Sequence, residues 1–523
     1  MTLQEVQQFV EDGDTDRALE VALALVHDCP EHAGAHLVLA RLYAQRRDFE
    51  DAQDELTLAL HLDPKNGEAY GELGDLHWSR GEHEAAILHL RRAVELSPQL
   101  ASAWSKLGFV YGRLNRFEAS IEVLERAATL DPNDVNVLNR LGYALVRTEQ
   151  YERGRDFFQR VCEATPDENF GARLNLANAS FHVGDFAVAR DIYEDILARA
   201  PHHYEARWNL SHLLLGDARF EEGWREYDYR WMVPAVWKPR LIPFEPWNGQ
   251  PLEGKTLLVS AEQGLGDEIM FASCIPDVAR QARCVIVECD ARLQRLFERS
   301  FPGTIVIGSE RELLVPGQQS LGSIDYHVPL ASLPLHLRNR QEDFPRHSGY
   351  LHADPNRIEH WRGRLAPLGA GRKIGISWRG GTADTRTSMR SLELEQLLPL
   401  LRLPGLSFVS LQYGNCAGEI AAVAQRFGVH ISFWPEAIEN YDETAALCCA
   451  LDQTVSVCTS VIHLNGALGR EVWILVPAVP EWRYGYRGES MPWYPSARLF
   501  RQSMGEEWKT VVERLVSGLT RRT

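Results

Sequence analysis

The chain has 523 residues, of which 45% are hydrophobic and 24% are charged, values typical of a globular protein with two to four domains. No apolar run reaches the ~18–20 residues of a membrane span, and the acidic, polar start MTLQEVQQFVEDGDTD is unlike a secretory signal. Nine Cys without a C-x-x-C pair favour free thiols over a disulfide framework, so the sequence predicts a cytoplasmic protein.

The net charge of −17 is unevenly distributed along the chain. Residues 1–231 contain 24 Lys and Arg against 41 Asp and Glu, whereas residues 232–523 contain 31 of each group. The acidic excess argues against nucleic-acid binding by the first part of the chain. The change near residue 231 also indicates a domain boundary.

The first part of the chain contains a fixed repeat. Pro recurs every 34 or 35 residues, at positions 30, 64, 98, 132, 166 and 201, and a period of this size indicates a solenoid. Small residues and large residues also recur at the same positions of each repeat. This recurrence predicts two closely packed helices in each repeat. The small positions are Ala40, Gly74, Gly108 and Gly142 with Ala52, Ala86, Ser120 and Gly154, and the large positions are Leu56, Leu90, Leu124 and Phe158.

This pattern resembles the tetratricopeptide repeat (TPR), with six or seven units over residues 1–231. The last unit, RFEEGWREYDYRW, is atypical and aromatic, and we expect it to cap the stack. The resemblance implies a groove that binds an extended peptide or a partner protein. A scaffold that only dimerises is the alternative.

Residues 232–253 carry five Pro and no helical period, and are interpreted as an ordered linker. Short apolar strands then alternate with helices, which is typical of parallel sheets with helices on both faces. The pattern predicts two Rossmann-like lobes, residues 254–350 and 351–523, with a C-terminal helix that packs back on the first lobe. The predicted strands are 256–261, 284–289, 304–308, 373–378, 406–412, 453–458 and 471–476.

Four motifs follow predicted strands and therefore face one crevice at the carboxyl ends of the sheets. They are EQGLGDEIMFA (262–272), SWRGGTADTRTSMRS (377–391), SLQYG (410–414) and SVCTSVIHLNGALG (456–469). With the join at WREYDYRW, these motifs resemble bacterial TPR-containing glycosyltransferases related to the ADP-heptose lipopolysaccharide heptosyltransferases. The resemblance implies a TPR α solenoid followed by an α/β GT-B fold, with a nucleotide-sugar between two lobes. It also implies a protein acceptor such as flagellin, captured by the repeats.

Asp267 is the candidate catalytic base, because glycosyl transfer requires a group that removes the proton of the acceptor hydroxyl. It lies at the tip of a turn in which Gly264 and Gly266 allow substrate to approach the backbone. The matching acid of heptosyltransferases is the proposed base, which supports this role by resemblance. The alternative is that Asp267 caps the following helix.

The donor side of the crevice lacks a P-loop, so other groups must bind phosphate. Thr459 and Ser460 open a helix whose amides and hydroxyls form an anion cradle, and His463 lies on the same helix face. Arg386 and Arg390 supply positive charge to the phosphate. Trp378 and Gln412 complete the predicted donor-binding set. A buried structural His463 and solvated arginines are the alternatives.

Cys458 stands where related sequences carry Asp, which removes a carboxylate that binds sugar or ribose hydroxyls in the resembling family. No D-x-D motif occurs in residues 232–523 and no His/Cys group has zinc spacing, so no metal cofactor is expected. The aromatic loop 480–502 either stacks on the substrate or packs the lobes and the TPR junction.

The sequence thus predicts a metal-independent protein O-glycosyltransferase that transfers sugar to Ser or Thr, with the inverting course expected from the resemblance. One alternative is an enzyme acting on a glycan or lipid-linked acceptor, as heptosyltransferases do. The other is a TPR scaffold with a degenerate transferase domain, for which Cys458 is the main support.

Overall fold

The computed structural model describes residues 2–166, 169–234, 240, 242–310, 323–381 and 389–521. The chain divides into two compact units, Met1–Ile192 and Tyr193–Thr523. The division lies inside the last repeats rather than at residue 231. The final helical repeat therefore belongs to the same compact unit as the α/β region.

The first unit consists of antiparallel helix pairs throughout its described residues. The helices are α1 (Leu3–Glu11), α2 (Thr15–Asp28), α3 (Ala33–Arg46), α4 (Phe49–Leu62), α5 (Gly67–Ser79), α6 (His83–Leu96), α7 (Ala101–Arg113), α8 (Phe117–Leu130), α9 (Val135–Arg147), α10 (Tyr151–Ala164), α11 (Phe170–His182) and α12 (Phe186–Arg199), which crosses the boundary. Several begin at Asp or Asn side chains that accept the N-terminal amides, as at Asn66 and Asp134.

The predicted small-to-large pairing within each repeat is confirmed. A Cβ atom added to Gly74 in α5 would lie 2.6 Å from Leu90 Cγ in α6, and one added to Gly142 would lie 2.9 Å from the Phe158 ring. Such distances leave no room for a side chain larger than hydrogen. The recurring glycine is therefore required by the close approach of the two helices.

Replacing Gly74 by Ala is expected to destabilise the chain by about 1–2 kcal/mol, because the new methyl group must displace Leu90 from a close-packed site. Gly71 in the same helix has nothing within 4 Å of an added Cβ. Gly71→Ala is the matched control and should stabilise by about 0.5–1 kcal/mol through helix propensity. Urea unfolding of both full-length variants, followed by helical circular dichroism, measures the two effects. Shifts of the same sign would refute the packing argument.

The second unit begins with the last repeat and continues into two parallel sheets. Its helices are α13 (Tyr204–Gly216), α14 (Phe220–Tyr227), α15 (Leu265–Phe271), α16 (Ile275–Ala279), α17 (Gln294–Ser300), α18 (Pro334–Leu337), α19 (Pro355–Leu365), α20 (Leu398–Leu401), α21 (Ala417–Phe427), α22 (Pro435–Glu439), α23 (Tyr441–Ala450), α24 (Ser460–Ala467) and α25 (Trp508–Thr520). Its strands are β1 (Glu245–Pro246), β2 (Thr256–Ser260), β3 (Cys284–Asp290), β4 (Ile305–Ser309), β5 (Tyr326–Pro329), β6 (Arg372–Ser377), β7 (Leu406–Ser410), β8 (Ile431–Ser432), β9 (Gln453–Val457), β10 (Val472–Val476) and β11 (Ala497–Arg501).

The sheet of the first lobe has the order β1-β5-β2-β3-β4, and its described pairs are all parallel. Strand β1 comes from the segment interpreted as a linker. In addition, Ile242 and Phe244 pack over the outer face of the sheet, against Leu258 and Ile286. The second half of residues 232–253 is therefore part of the first lobe, because its apolar side chains cover an otherwise exposed sheet face.

The sheet of the second lobe has the order β11-β10-β9-β6-β7-β8, again with parallel pairs. Counted in chain order within the lobe, these strands run 3-2-1-4-5-6, which is the doubly wound Rossmann order. The order reverses between β6 and β9. In such sheets the crevice at the carboxyl ends of these two strands is the usual ligand site.

Both faces of the second sheet are buried, which explains the uninterrupted apolar run of β10. Trp473 and Leu475 face one core, whereas Val472 and Ile474 face the other. The C-terminal helix α25 packs in the first of these cores, on the second lobe. The expectation that it returns to the first lobe is wrong. Its apolar stripe matches the uncovered side of β10 and β11, near Trp473.

Candidate functional site

The carboxyl ends of the two sheets meet. Helix α15 follows β2 of the first lobe and packs on α24, which follows β9 of the second. A Cβ atom on Gly266 would lie 3.0 Å from the His463 ring and 3.3 Å from Ser460 Cα. The loop after β6 also contacts this place, because a Cβ on Gly380 would lie 2.9 Å from the Cys458 carbonyl oxygen. The predicted motifs after β2, β6 and β9 therefore converge.

Asp267 lies at the centre of this junction. It is the third residue of α15 rather than the N-cap, which is Gly264. The Gly264 amide donates to Asp267 Oδ2 at 3.2 Å, while Oδ1 lies 3.0 Å from Arg483 Nη2 of the second lobe. The side chain thus both closes the turn and faces the opposite lobe. The two roles considered for Asp267 are compatible.

Arg483 connects Asp267 to a chain of charges, which we term the interlobe charge cluster (Asp267, Arg483, Glu481 and Arg390). Arg483 Nη1 lies 2.9 Å from Glu481 Oε2, and Glu481 Oε1 accepts a 2.7 Å bond from Arg390 Nη1. Arg390 Nη2 also donates to the Cys458 carbonyl oxygen at 2.7 Å. Burial lowers the pKa of Arg483, but Asp267 and Glu481 outweigh it and the pKa is raised, so the guanidinium stays charged.

The residues that open α24 lie beside this cluster. Thr459 is the N-cap, and its hydroxyl accepts the Val461 amide at 3.3 Å. His463 is buried, and its Nδ1 lies 3.1 Å from the Tyr494 hydroxyl. Burial, reinforced by the charge of Arg483, holds the pKa of His463 well below its usual range, so the ring is neutral at pH 7. His463 is thus buried and neutral, which matches the alternative interpretation of His463 as a structural histidine.

Trp378 follows β6 and Gln412 follows β7, and both side chains are buried. Gln412 Oε1 accepts the Trp378 and Arg379 amides at 3.0 and 2.8 Å, and its Nε2 donates to two carbonyl oxygens. Trp378 is fully buried and donates to Glu419 at 2.7 Å. Both side chains therefore hold the loop after β6 in place. Arg386 lies outside the described residues.

Cys458 is buried at the carboxyl end of β9, and its thiol contacts the Leu475 carbonyl oxygen at 3.7 Å. Burial raises the pKa of the Cys458 thiol to about 12. The thiol is therefore protonated at physiological pH and is unsuited to act as a nucleophile.

The reversal point of the first sheet, between β2 and β5, is occupied by the last repeat. Arg230, from the turn that follows α14, is buried and binds Glu262 through two hydrogen bonds of 2.7 and 3.0 Å. It also donates to Ser332 and Asp228 at 2.8 and 3.0 Å. Glu262 in turn accepts the Ala331 amide at 2.7 Å, just after β5. The corresponding crevice of the first lobe is thus filled by protein.

The aromatic loop packs rather than lines an open site. Trp482 and Trp493 are buried, with ring centroids 5.4 and 6.2 Å from that of Trp224 in α14. The Tyr486 hydroxyl donates to the His212 carbonyl oxygen of α13 at 2.9 Å. These contacts match the alternative in which the loop braces the junction with the last repeat.

Sequence reasoning missed the charged partners of this site. Arg483 and Glu481 lie in a loop that was interpreted through its aromatic residues alone. Arg230 and Glu262 are 32 residues apart in sequence, and only tertiary structure joins them. The one available signal was a charged residue within an apolar or aromatic segment, as in EWRYGY.

The described residues contain no group of three or more His, Cys, Asp or Glu side chains arranged to hold a metal ion. Within the same part of the chain, no helix is long and apolar enough to cross a membrane. Metal independence remains a prediction.

The helix pairs and their 34-residue period agree with comparisons to known proteins. A tetratricopeptide repeat family model matches residues 3–52, 37–101, 106–169 and 174–227. Tetratricopeptide repeats run from residue 3 to residue 227. The α/β region that follows lies outside these matches.

The chain is 34% identical over 322 residues to Protein FlbA of Caulobacter vibrioides, a match that covers 59% of this chain and 53% of FlbA. The aligned region therefore spans about half of that protein. Similar solved structures include Pseudomonas aeruginosa PilF, with 19% identity over 39% of this chain and 92% of that one, at a TM-score of 0.36. YrrB is described as a TPR protein with an unusual peptide-binding site. It is 20% identical over 36% of this chain and 96% of that one, at a TM-score of 0.33.

Proposed function

We propose that the chain is a glycosyltransferase that moves sugar from a nucleotide-sugar to a Ser or Thr hydroxyl of a protein acceptor. The observation that carries the proposal is the position of Asp267. Its carboxylate lies 3.0 Å from Arg483, in the loop that follows β10 of the second lobe, and its helix α15 packs on α24, which follows β9. This arrangement suits a GT-B enzyme, in which donor and acceptor meet between two lobes.

The reaction requires three events, and the chain offers candidate groups for the first and the last. The acceptor hydroxyl gives its proton to Asp267, the hydroxyl oxygen bonds to the anomeric carbon, and the bond from that carbon to the phosphate oxygen breaks. The phosphate leaves with the bonding electrons and needs positive charge nearby. Our candidates for this role are Arg390, which donates to the Cys458 carbonyl oxygen, and the amides that open α24 near Ser460.

The TPR unit supplies a cavity suited to an acceptor peptide. A cavity of about 310 Å³ opens among α7, α8, α9 and α11. Its lining combines aromatic, amide and basic groups, including Phe109, Arg113, Asn139, Arg140, Tyr143 and Asn175. The Asn139 Oδ1 atom is buried and has no hydrogen-bond partner among the described residues. Amide side chains of this kind pair with the backbone of an extended peptide.

The direct test is transfer by the full-length chain, with purified flagellin as the first acceptor and a panel of nucleotide-sugars as donors. Intact-protein mass spectrometry reads the added sugar, and peptide mapping locates it. Sugar on Ser or Thr supports the proposal. Transfer only to a lipid-linked glycan would establish the heptosyltransferase-like alternative instead.

A second candidate function, a TPR scaffold with an inactive α/β region, has its own support. Asp267 and Arg483 are each only 15% exposed and already form an ion pair. Gly266 also packs against α24 at van der Waals distance. Absence of both transfer and donor hydrolysis over the full panel, with retained acceptor binding, would favour this candidate.

Replacing Tyr143 by Ser and Asn139 by Ala together is expected to raise the KM for the protein acceptor about tenfold, since loss of central contacts commonly costs more than 1 kcal/mol. Donor hydrolysis in the absence of acceptor should remain unchanged. The matched control is Asn133→Ala, an exposed residue at a repeat turn. An unaltered KM would show that the acceptor binds elsewhere.

A further inference from the structure

Among the described residues, the four side chains of the interlobe charge cluster carry balanced charges. It contains two arginines and two carboxylates, and three of the four side chains belong to the second lobe. Glu481 is held by both Arg390 and Arg483, whereas Asp267 contacts the cluster through Arg483 alone. The four charges of the cluster sum to zero, so these side chains alone offer a phosphate no net positive charge. Removing the charge of Asp267 would leave them with one net positive charge.

The contact between Asp267 and Arg483 is less complete than the buried pair of Arg230 and Glu262. Asp267 Oδ1 lies 3.0 Å from Arg483 Nη2 without the alignment of a hydrogen bond. The Nε atom of Arg483 is buried and has no hydrogen-bond partner in the described part of the chain. By contrast, Arg230 donates from both Nε and Nη2 to Glu262. Arg483 therefore retains a donor for a second anion.

On the basis of the proposed function, we propose that Arg483 passes its charge from Asp267 to the leaving phosphate during transfer. Before reaction, Arg483 pairs with the Asp267 carboxylate. As Asp267 accepts the proton of the acceptor hydroxyl, its charge is cancelled, and Arg483 becomes a phosphate-binding residue. The negative charge that Asp267 loses is the charge that the departing phosphate oxygen gains, so the cluster stays balanced.

Glu481 has a distinct part in this exchange. Its Oε1 accepts a hydrogen bond from Arg390 at 2.7 Å, and its Oε2 forms an ion pair with Arg483 Nη1 at 2.9 Å. It therefore keeps both guanidinium groups together whichever anion Arg483 contacts. The indole of Trp482 supports the same arginine, with the guanidinium carbon 5.5 Å from the ring centroid. Proton removal and phosphate departure are thus coupled through one side chain.

The test uses inorganic pyrophosphate and isothermal titration calorimetry on the full-length chain. Asp267→Asn reproduces the neutral, protonated state of the acid, and it should raise pyrophosphate affinity by about tenfold, because it removes a negative charge next to Arg483. Arg483→Gln should lower the affinity by about the same factor. In the double variant, Asp267→Asn should no longer raise the pyrophosphate affinity, because the gain depends on Arg483, which is then absent.

Two matched controls separate this effect from general charge. Glu253→Gln removes an exposed carboxylate before β2, and Arg487→Gln removes an exposed arginine from the same loop as Arg483. Both should leave the affinity within about twofold. Titrations with inorganic phosphate run in parallel and assign the site to a monophosphate or a diphosphate donor.

An Asp267→Asn variant that binds pyrophosphate no better than Glu253→Gln would overturn the exchange, as would a gain that persists in the double variant. Should Arg483→Gln fail to fold, the Asp267→Asn titration alone decides. Failure of the proposed function is distinguishable, because anion binding is measured without sugar transfer. If Asp267→Asn gains pyrophosphate affinity through Arg483 but the chain transfers no sugar, only the proposed transferase function is refuted. If sugar is transferred but the affinity does not change, only the proposed role of Arg483 is refuted.

Discussion

Replacing Asp267 by Asn is expected to reduce kcat for sugar transfer by about 10²- to 10⁴-fold, the usual contribution of a general base. Asn keeps the shape of the side chain and an oxygen that can accept the Gly264 amide, which now donates to the carboxylate at 3.2 Å. It cannot accept the proton of the acceptor. The loss should therefore appear in kcat, while donor affinity is retained or increased. Initial rates at saturating donor measure it.

The matched control for this variant is Glu253→Gln. It removes an exposed carboxylate at the opposite end of β2 and should leave kcat within about twofold. Circular dichroism and the unfolding midpoint show whether both variants remain folded. An Asp267→Asn enzyme with wild-type kcat would exclude Asp267 as the base and leave only its role at the start of α15.

The second large effect is expected at Arg230. Arg230→Ala should destabilise the second unit by about 3–5 kcal/mol, because it leaves Glu262 buried and without its cation. Glu262 is only 6% exposed, so water cannot replace the lost partner. A change of this size is a large part of the total stability of a typical protein. Urea unfolding monitored by Trp fluorescence, to which Trp224 and Trp482 contribute, measures it.

Arg225→Ala serves as the control for charge and helix position. Arg225 lies in α14, is 63% exposed, and pairs with Glu221 four residues earlier. Its removal should cost about 0.5 kcal/mol or less, as is usual for an exposed pair within a helix. If Arg230→Ala lowers the free energy of unfolding by a similarly small amount, the buried ion pair stabilises the fold little more than hydration of the two groups would.

The fold was predictable where one physical requirement governs many residues. The repeats were found because close helix packing demands a small residue at a fixed phase, as at Gly74 and Gly142. Strands such as β2 and β10 were found because burial on both faces favours runs of apolar residues. Strands β1, β5, β8 and β11 were missed, and β1 and β8 have only two residues each.

The site was predictable only in part. The proximity of Asp267 to Thr459 and Ser460 was predictable because each follows a buried strand, and strand ends meet in a parallel α/β fold. Arg483 was missed because its importance depends on Asp267, which is 216 positions away in sequence and adjacent only after folding. Gln412 was predicted to bind the donor, but its side-chain oxygen accepts two backbone amides of the loop after β6. Sequence alone does not distinguish a polar residue that binds a ligand from one that binds a loop backbone.

The shared core of the last repeat and the α/β region has a consequence for how such proteins diversify. Because α13 and α14 supply Trp224 and Arg230 to that core, they cannot be exchanged without loss of the lobes themselves. The repeats before residue 193 belong to the other compact unit. Duplication, deletion or recombination among those repeats is therefore expected to leave the residues of the shared core in place.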